Sequence, residues 1–576
     1  MYDRFPYVPS GSREECHSGW PAIIQVIQSL AGTGSVIVVE CYPGVLLEEL
    51  HRELAAGLRD ANILLTTNLF RPVAEIDRML EPWLGEDPVF GMMNTVEIED
   101  FFDPARLSEA RRNCQHVAWP MVVLGPGASL ICPQPALLVY ADMARWEIQL
   151  RQRRNEIANL GSDNFEERAS LKYKRAFFVD WRAADRLKTR LFSKIDLLLD
   201  TNKPGRPMAI SGDVFRRSLA AAAKRPFRVV PFFDPGPWGG HWIERVCGLP
   251  PDDAPNHAWG FDCVPEENSL LLGFGDHRVE VPSVNVVLAH PEELLGTGIV
   301  SRFGAEFPIR FDFLDTVGGG NLSLQVHPLT SYIREHFGMD YTQDESYYML
   351  DAEDDAVVYL GLKEGIDRDA MIRDLERAQD ADFDFPADKY VNRFPARKHD
   401  HFLIPAGTIH CSGRNSMVLE VSATPYIFTF KLWDWGRLGL DGRPRPIHLN
   451  HGVANIQWDR TTEWVRRSLI GQVKPVASGD GWREERTGLH ELEFIETRRH
   501  WFTKAVPHDT QGTVHVLNLV EGEQAVVESP DGAFEPFQVN YAETFIVPAA
   551  VGPYTVRPCG AGKDRECATM QAYVRV

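Results

Sequence analysis

NLSLQVHPLT (321–330), DESYYML (344–350) and LIPAGTIH (403–410) decide the fold of the central part of this 576-residue chain. In the first stretch Gln325 and His327 stand two apart, and on a strand positions i and i+2 share a face. An amide oxygen and an imidazole nitrogen therefore enter one interior side by side. Glu345 lies on the approach to another strand, and the Pro/Gly turn before His410 delivers a third strand toward the same interior. Two imidazoles, one carboxylate and one amide oxygen form a mixed N/O set suited to Zn²⁺, with Mn, Fe, Co or Ni as alternatives. The expectation is a single divalent-metal site in a β-barrel, with Gln325, His327, Glu345 and His410 as ligands.

Working outward from these stretches, three textures divide the chain. Residues 1–228 alternate strands with helices. SVIVVECYPG (35–44) is a β-branched run ending in a Pro-Gly turn, and VLLEELHRELAAGLRD (45–60) then carries apolar residues at helical spacing. Further runs at ANILLTTNLF (61–70), WPMVVLGPGA (119–128) and ALLVYAD (136–142) continue the pattern, which predicts an α/β domain with a largely parallel sheet. Residues 229–480 turn to short strands with Gly/Pro/Asp turns and one helical insertion at IDRDAMIRDLERAQD (366–380). In 481–576, VHVLNLVEGEQAVVES (514–529) and ETFIVPAAVGPYTV (543–556) read as paired strands around tight turns. LIPAGTIH (403–410) and FIVPAAVGPY (545–554) resemble one another, which points to two related barrels.

Apolar residues make up 44% of the chain, enough for several packed cores, and the formal charge is −21. Such a surface repels phosphate backbones, so nucleic acid is not an expected partner. The nine cysteines contain no CxxC pair, which argues against a disulfide framework. The first residues lack a basic start followed by an apolar stretch, and no run approaches membrane-spanning length. A soluble cytoplasmic protein with no membrane partner is expected, and self-association into a homo-oligomer is left open.

The ordered motifs LSLQVHP (322–328), ESYYML (345–350), GLKEGIDRDAM (361–371), IPAGTIHCSG (404–413) and WDWGRLGLDGRPRPIHL (433–449) resemble type I phosphomannose isomerases of the cupin superfamily. WGGHW (238–242) is similar to the Trp-Gly motif that opens that family's catalytic domain. The resemblance covers about residues 231–470 and extends loosely through the last barrel. It implies an all-β cupin (jelly-roll) catalytic domain with a helical insertion, followed by a C-terminal cupin-like barrel. Gln325, His327, Glu345 and His410 take the family's metal-ligand positions. The implied reaction interconverts mannose 6-phosphate and fructose 6-phosphate, an aldose–ketose isomerisation through an enediolate. It needs a proton shuttle between C1 and C2 and stabilisation of the enediolate oxygens.

Several positions depart from the family pattern. Lys431 in FTFKLWDWGR (428–437) stands where the family has a catalytic Arg; it keeps the charge but can surrender a proton. Glu420 in MVLEVSA (417–423) matches an active-site glutamate, so Lys431 and Glu420 are the candidate catalytic residues. Gln343 and Asp312 replace family lysines, and the loss of cations weakens the case for a phosphorylated substrate. Lys431 has an ion pair with Asp434 as its plain structural alternative. His399 and His401 in ARKHDHFLIP (396–405) read as exposed turn residues, with a place for His401 on the pocket wall as the alternative.

The first 228 residues vaguely resemble P-loop kinases, with the strand–turn–helix at 35–60 in the position of a phosphate loop. ECYPGVLLEEL (40–50) offers Gly44 but no Lys and no hydroxyl, so a degenerate kinase-like domain without phosphoryl transfer is expected. Arg182 and Arg186 add a weak kinase-like flavour. The leading function is thus a metal-dependent sugar or sugar-phosphate isomerase. Its alternative is a non-catalytic sugar or sugar-phosphate sensor that has kept the metal, and a cupin oxygenase is a third reading that the Gln ligand disfavours.

Overall fold

The computed structural model describes residues 1–31, 35–59, 61–115, 120–251, 253–379, 383–423, 426–488, 490–563 and 565–575. Two compact units share the chain, both discontinuous. One takes residues 1–6, 223–268 and 290–576, and the other takes 7–222 and 269–289. No helix among the described residues is long and apolar enough to cross a membrane.

In the unit built on 7–222, a seven-stranded sheet runs in the order Asn62–Leu65, Met121–Gly125, Val36–Cys41, Leu137–Asp142, Leu197–Asp200, Met208–Ser211, Cys16–Ser18. The first five strands are parallel and the last two antiparallel. The central strands are mostly apolar and buried, as strands covered on both faces must be, with Glu40 and Asp142 near their C-terminal ends. Val36–Cys41 turns at Tyr42–Leu46 into the helix Leu47–Gly57, as the sequence predicts. Trp119 of the 119–128 run lies outside the described residues. The same unit holds a small sheet in which Tyr7–Gly11 pairs in parallel with Ser269–Phe274. Buried charges are paired here: Lys188 Nζ donates to Asp142 Oδ1 at 2.8 Å, and Arg145 pairs with Asp185.

The other unit contains two pairs of antiparallel sheets. In the first pair, six strands run in the order His401–Ile404, Glu345–Ala352, Ser416–Ser422, Arg310–Asp315, Trp259–Cys263, Phe232–Asp234. Five more run Val391–Pro395, Val357–Leu362, His410–Ser412, Leu324–Val326, Phe430–Trp433. The predicted insertion is the helix Arg368–Arg377, capped by Asp367, whose carboxylate accepts from Ala370 N at 3.0 Å; Asp380 lies outside the described residues. It has company that the sequence reading did not foresee, including Thr297–Phe303, Thr330–Phe337 and Thr462–Ser468. These helices are only seven or eight residues long, about two turns, too short for their periodicity to stand out in the sequence.

In the second pair, Lys474–Gly479, Trp482–Arg486, Ile495–Phe502, Cys567–Val574, His515–Glu521 and Thr544–Val547 form one sheet. Val506–Asp509, Pro553–Pro558, Gln524–Glu528 and Phe537–Asn540 form the other. Phe502, Leu517, Leu519, Val527, Val539, Phe545 and Val556 fill the space between them. The strands expected to pair across Gly522 do not: His515–Glu521 and Gln524–Glu528 lie in different sheets, as do Thr544–Val547 and Pro553–Pro558. A tight turn at Gly522 (φ +89°) carries the chain from one sheet to the other instead of closing a hairpin.

Candidate metal centre and its cavity

Gln325 and His410 are direct cross-strand partners, on Leu324–Val326 and His410–Ser412. His327 follows the first of these strands, and Glu345 begins a strand of the facing sheet. Two local devices bring the 404–410 turn to this point. Asp344 Oδ1 accepts from Ala406 N at 2.7 Å, and the carbonyl of His327 accepts from Gly407 N at 2.9 Å. Gly407 sits at φ +87°, where a Cβ would come within 2.7 Å of Gln457 Cγ and 2.9 Å of the Asn455 carbonyl. Only glycine fits this turn.

The side chains meet in a dry pocket. His327, Glu345 and His410 are at most 1% exposed, and each offers a ligand atom within 4.8 Å of the other two. His410 Nε2 lies 2.8 Å from Glu345 Oε1, and His327 Nε2 lies 3.1 Å from Glu345 Oε2. The Nδ1 atoms of both rings face main-chain carbonyls, that of Phe428 at 2.8 Å for His327 and that of Thr408 at 2.9 Å for His410. A carbonyl can only accept, so each Nδ1 carries the proton and each Nε2 presents its lone pair to the pocket. The amide of Gln325 closes the set, 3.2 Å from His410 Nε2.

The two Nε2 atoms and the Glu345 carboxylate thus converge on one point. Among the described residues, neither His327 Nε2 nor Glu345 Oε1 has a hydrogen bond of ordinary geometry. Burial opposes charge on Glu345, yet the two imidazoles outweigh it and hold its carboxyl well below the usual range. His327 is displaced upward: burial works against its charged form, and the Glu345 carboxylate prevails. An assembly of this kind asks for positive charge in its middle, and its N/O donors fit a borderline divalent metal.

Beside the centre lies a cavity of ≈ 160 Å³ walled by Trp238, Arg310, Asp312, Gln343, Glu420, Lys431 and Arg445 among others. Trp238 of the WGGHW stretch is brought there by the close approach of Gly240, whose Cβ would meet Asp315 Oδ1 at 2.3 Å. Both candidate catalytic residues line this cavity. Glu420 is 6% exposed, 3.5 Å from Gln343 Nε2, and burial together with Glu345 and Asp312 raises its carboxyl well above the ordinary value. Lys431 has no ion-pair partner among the described residues. Asp434, its expected partner, is taken by Arg437 at 2.7 Å and Arg445 at 2.8 Å. Burial lowers Lys431 to about 7, and the nearby Arg445 and Arg437 add to the effect.

The sequence reading passed over two residues here, Arg310 and Arg445. Arg310 stands two positions before Asp312 on one strand, a same-face spacing legible in RFDFLD (310–315). Arg445 donates to Ser323 Oγ at 3.1 Å and to Asp434 Oδ2 at 2.8 Å. His401, expected to be exposed, is 2% exposed, on the strand His401–Ile404, with Nδ1 3.3 Å from the Thr487 carbonyl. His399 is half-buried against Tyr348 and Glu521. Strand pairing with Glu345–Ala352 draws this segment inward, which no local turn signal reveals. Arg182 and Arg186 serve packing: Arg182 lies 4.8 Å over the Phe177 ring, and Arg186 is 3.2 Å from Glu97.

The comparisons with known proteins divide along the chain. The family described as "Domain of unknown function (DUF8485)" matches residues 19–224. Mannose-6-phosphate isomerase ManA of Bacillus subtilis (strain 168) is 24% identical over 237 residues, 40% of this chain and 68% of that protein. The mannose-6-phosphate isomerase of Streptococcus mutans is 27% identical over 217 residues, 38% of this chain and 63% of that protein. The chain thus spans about two thirds of the length of these curated relatives. The crystal structure of the mannose 6-phosphate isomerase from Bacillus subtilis superposes with a TM-score of 0.50 at 17% identity, covering 61% of this chain and 100% of that one. The chain is therefore multidomain and sheet-rich, with a region that shares the fold of that isomerase. Over about 40% of its length it is homologous to mannose-6-phosphate isomerases.

Proposed function

We propose that this protein is a metal-dependent aldose–ketose isomerase that interconverts mannose 6-phosphate and fructose 6-phosphate, or a closely related sugar, through an enediolate. The observation that carries the reading is the convergence of His327 Nε2, His410 Nε2 and the Glu345 carboxylate beside a cavity holding Lys431 and Glu420. Gln325, His327, Glu345 and His410 would hold the ion, Zn²⁺ or another divalent transition metal, with the Gln325 amide turned to present its oxygen. The ion supplies Lewis-acid stabilisation of the developing oxyanion when bound.

The chain's own residues do the rest. Lys431, lowered to about 7, is the group that takes the proton from C2 and returns it to C1. Glu420, whose carboxyl is raised well above its ordinary value, donates its proton to O1 as the enediol forms and takes the proton from O2 as the carbonyl forms at C2. Trp238 and Leu322 wall the cavity and limit the entry of water. Arg310 and Arg445 join Lys431 against Asp312 and Glu420, so the lining carries one more cation than anions when all are charged. That surplus supports a phosphorylated substrate despite Gln343 and Asp312 at the family's lysine positions. A carbonyl sugar without phosphate is the competing substrate.

The same reading extends to the architecture: residues 229–480 as a cupin (jelly-roll) catalytic domain and 481–576 as a cupin-like barrel. Residues 1–228 would be a degenerate P-loop-kinase-like domain. For the last, the helix Leu47–Gly57 carries Glu48 and Glu49 in its first turn, where a phosphate would be repelled. The decisive experiment follows mannose 6-phosphate and free hexoses by NMR in D₂O with metal-loaded protein. Isomerisation or C1/C2 proton exchange is expected. Tight binding without either reaction would overturn the proposal in favour of a sensor.

A further inference from the structure

A second polar cavity, of ≈ 490 Å³, opens at one end of the C-terminal pair of sheets. Strand periodicity builds it. On Ile495–Phe502 the alternate residues Arg498, His500 and Phe502 share a face. On Cys567–Val574 the residues facing them are Gln571 opposite Arg498, Thr569 opposite His500 and Cys567 opposite Phe502. Phe502 and Cys567 belong to the apolar core, whereas His500 and Gln571 line the cavity. The interior therefore changes from apolar to polar within one or two positions of each strand. His515 and His508 join from two further strands.

The polar groups at this end are buried beyond what packing requires. His500 and Gln571 are 3% exposed and His515 is 5% exposed. Among the described residues His500 Nδ1 is buried with no hydrogen-bonding partner, while the His508 and Gln571 side chains meet one another. Each such atom costs about 1–3 kcal/mol when nothing meets it. Such an atom on the wall of a roomy polar cavity marks a place shaped for something to bind. The groups are also held in fixed orientations. His515 Nδ1 lies 2.9 Å from both Tyr554 Oη and Gln571 Nε2, and the His508 ring stacks on Tyr554 at 4.8 Å.

Charge decides the class of ligand. Among the lining groups, Glu484 and Asp509 balance Arg498 and Arg575. Arg498 Nη1 donates to Glu484 at 3.1 Å, and Arg575 Nη2 donates to the carbonyls of His490 and Glu493. No surplus of either sign remains to recruit a phosphate or an ammonium group. Burial holds the imidazoles neutral, taking His508 to about 4 and His515 to about 3. A neutral imidazole both donates and accepts, as an amide does. Among the described residues, the group of side chains that converges as metal ligands is His327, Glu345 and His410 rather than these three. The volume suits a molecule of many atoms rather than an ion.

We propose that this cavity is a second ligand site, for an uncharged, hydroxyl-rich small molecule of the sugar or polyol class, held by His500, His508, His515 and Gln571. Hydroxyls, which also donate and accept, would satisfy His500 Nδ1 and bond to the imidazole and amide groups around it without adding charge. The site is distinct from the metal centre and stands whether or not the isomerase reading does.

The test is calorimetric titration of the full chain with mannitol, which has no carbonyl to isomerise. Binding is expected to survive His410→Ala and to weaken roughly ten-fold or more in Gln571→Met, the loss of one or two hydrogen bonds. Turnover at the metal centre should be unchanged in Gln571→Met. If that variant does not fold, His508→Gln at the half-buried rim gives the same reading. Mannitol binding that is indifferent to both substitutions would overturn the proposal, as would no binding of mannitol, glycerol or glucose. So would a second Zn²⁺ per chain that is lost in His500→Phe, or a preference for inorganic phosphate over polyols.

Discussion

Arg310 donates from Nη2 to Asp312 Oδ2 at 2.8 Å, two positions apart on one strand and both buried in the wall of the cavity. The carboxylate that the sequence reading sets at a family lysine position thus comes with a guanidinium of its own. Removing one partner strands the other. Arg310→Met is expected to cost about 3–5 kcal/mol of stability, and the double change Arg310→Met with Asp312→Asn to regain much of it. Urea unfolding of the three proteins measures this. If the pair also recognises phosphate, the double variant refolds to full stability yet loses its preference for mannose 6-phosphate over mannose.

The metal centre is tested by its ligands. Glu345→Gln and His410→Ala should each lower the bound metal to well under one ion per chain by elemental analysis and reduce turnover at least ~100-fold. Chelation of the unaltered protein should do the same, reversibly on adding Zn²⁺ or Mn²⁺. Full turnover by the chelated protein would remove the metal from the mechanism.

Lys431 sets a pH dependence. With its value lowered to about 7, the neutral amine that accepts a proton is present above that pH and lost below it. The rate constant kcat/KM should therefore rise with pH and level off above about 7. Lys431→Met should lower kcat by roughly 10²–10⁴-fold. Lys431→Arg keeps the charge and should be nearly as damaging. A fully active Arg variant would assign Lys431 an electrostatic role alone.

Acid should weaken the fold through its buried imidazoles. His508 titrates near 4 and His515 near 3 in the folded protein, both depressed by burial. Below about 6.5 the unfolded chain binds protons that the folded chain refuses, so stability falls as pH falls. Each group contributes about 1.4 kcal/mol per pH unit across that window. Thermal unfolding at pH 7, 6 and 5 should show a steep decline, shallower in His508→Gln. Equal slopes in the two proteins would mean that His508 is protonated in the folded state.

The sequence was informative where chemistry and periodicity coincide. Gln325 and His327 declare a shared face by spacing alone, and the Pro/Gly turn before His410 announces its own geometry. The strands of the parallel sheet are legible because each is a continuous apolar run bounded by turns. What escaped depends on which strands become neighbours. Arg310 and Arg445 are separated by more than a hundred residues and meet at one cavity only after the sheets close. His401 looks like a turn residue until Tyr348 is found opposite it. The turn at Gly522 has a hairpin's local signature, yet its strands find partners elsewhere because two sheets, not one, cover the core.

The imidazole protons of His327 and His410 rest on carbonyls of Phe428 and Thr408, which belong to the main chain. Replacing either side chain would leave its carbonyl in place. Ring orientation at the centre is thus inherited with the path of the backbone and shielded from most single mutations. Gln343 belongs to the same frame, its Oε1 accepting from Phe428 N at 2.9 Å, so a change there would reach the His327 ring through the backbone.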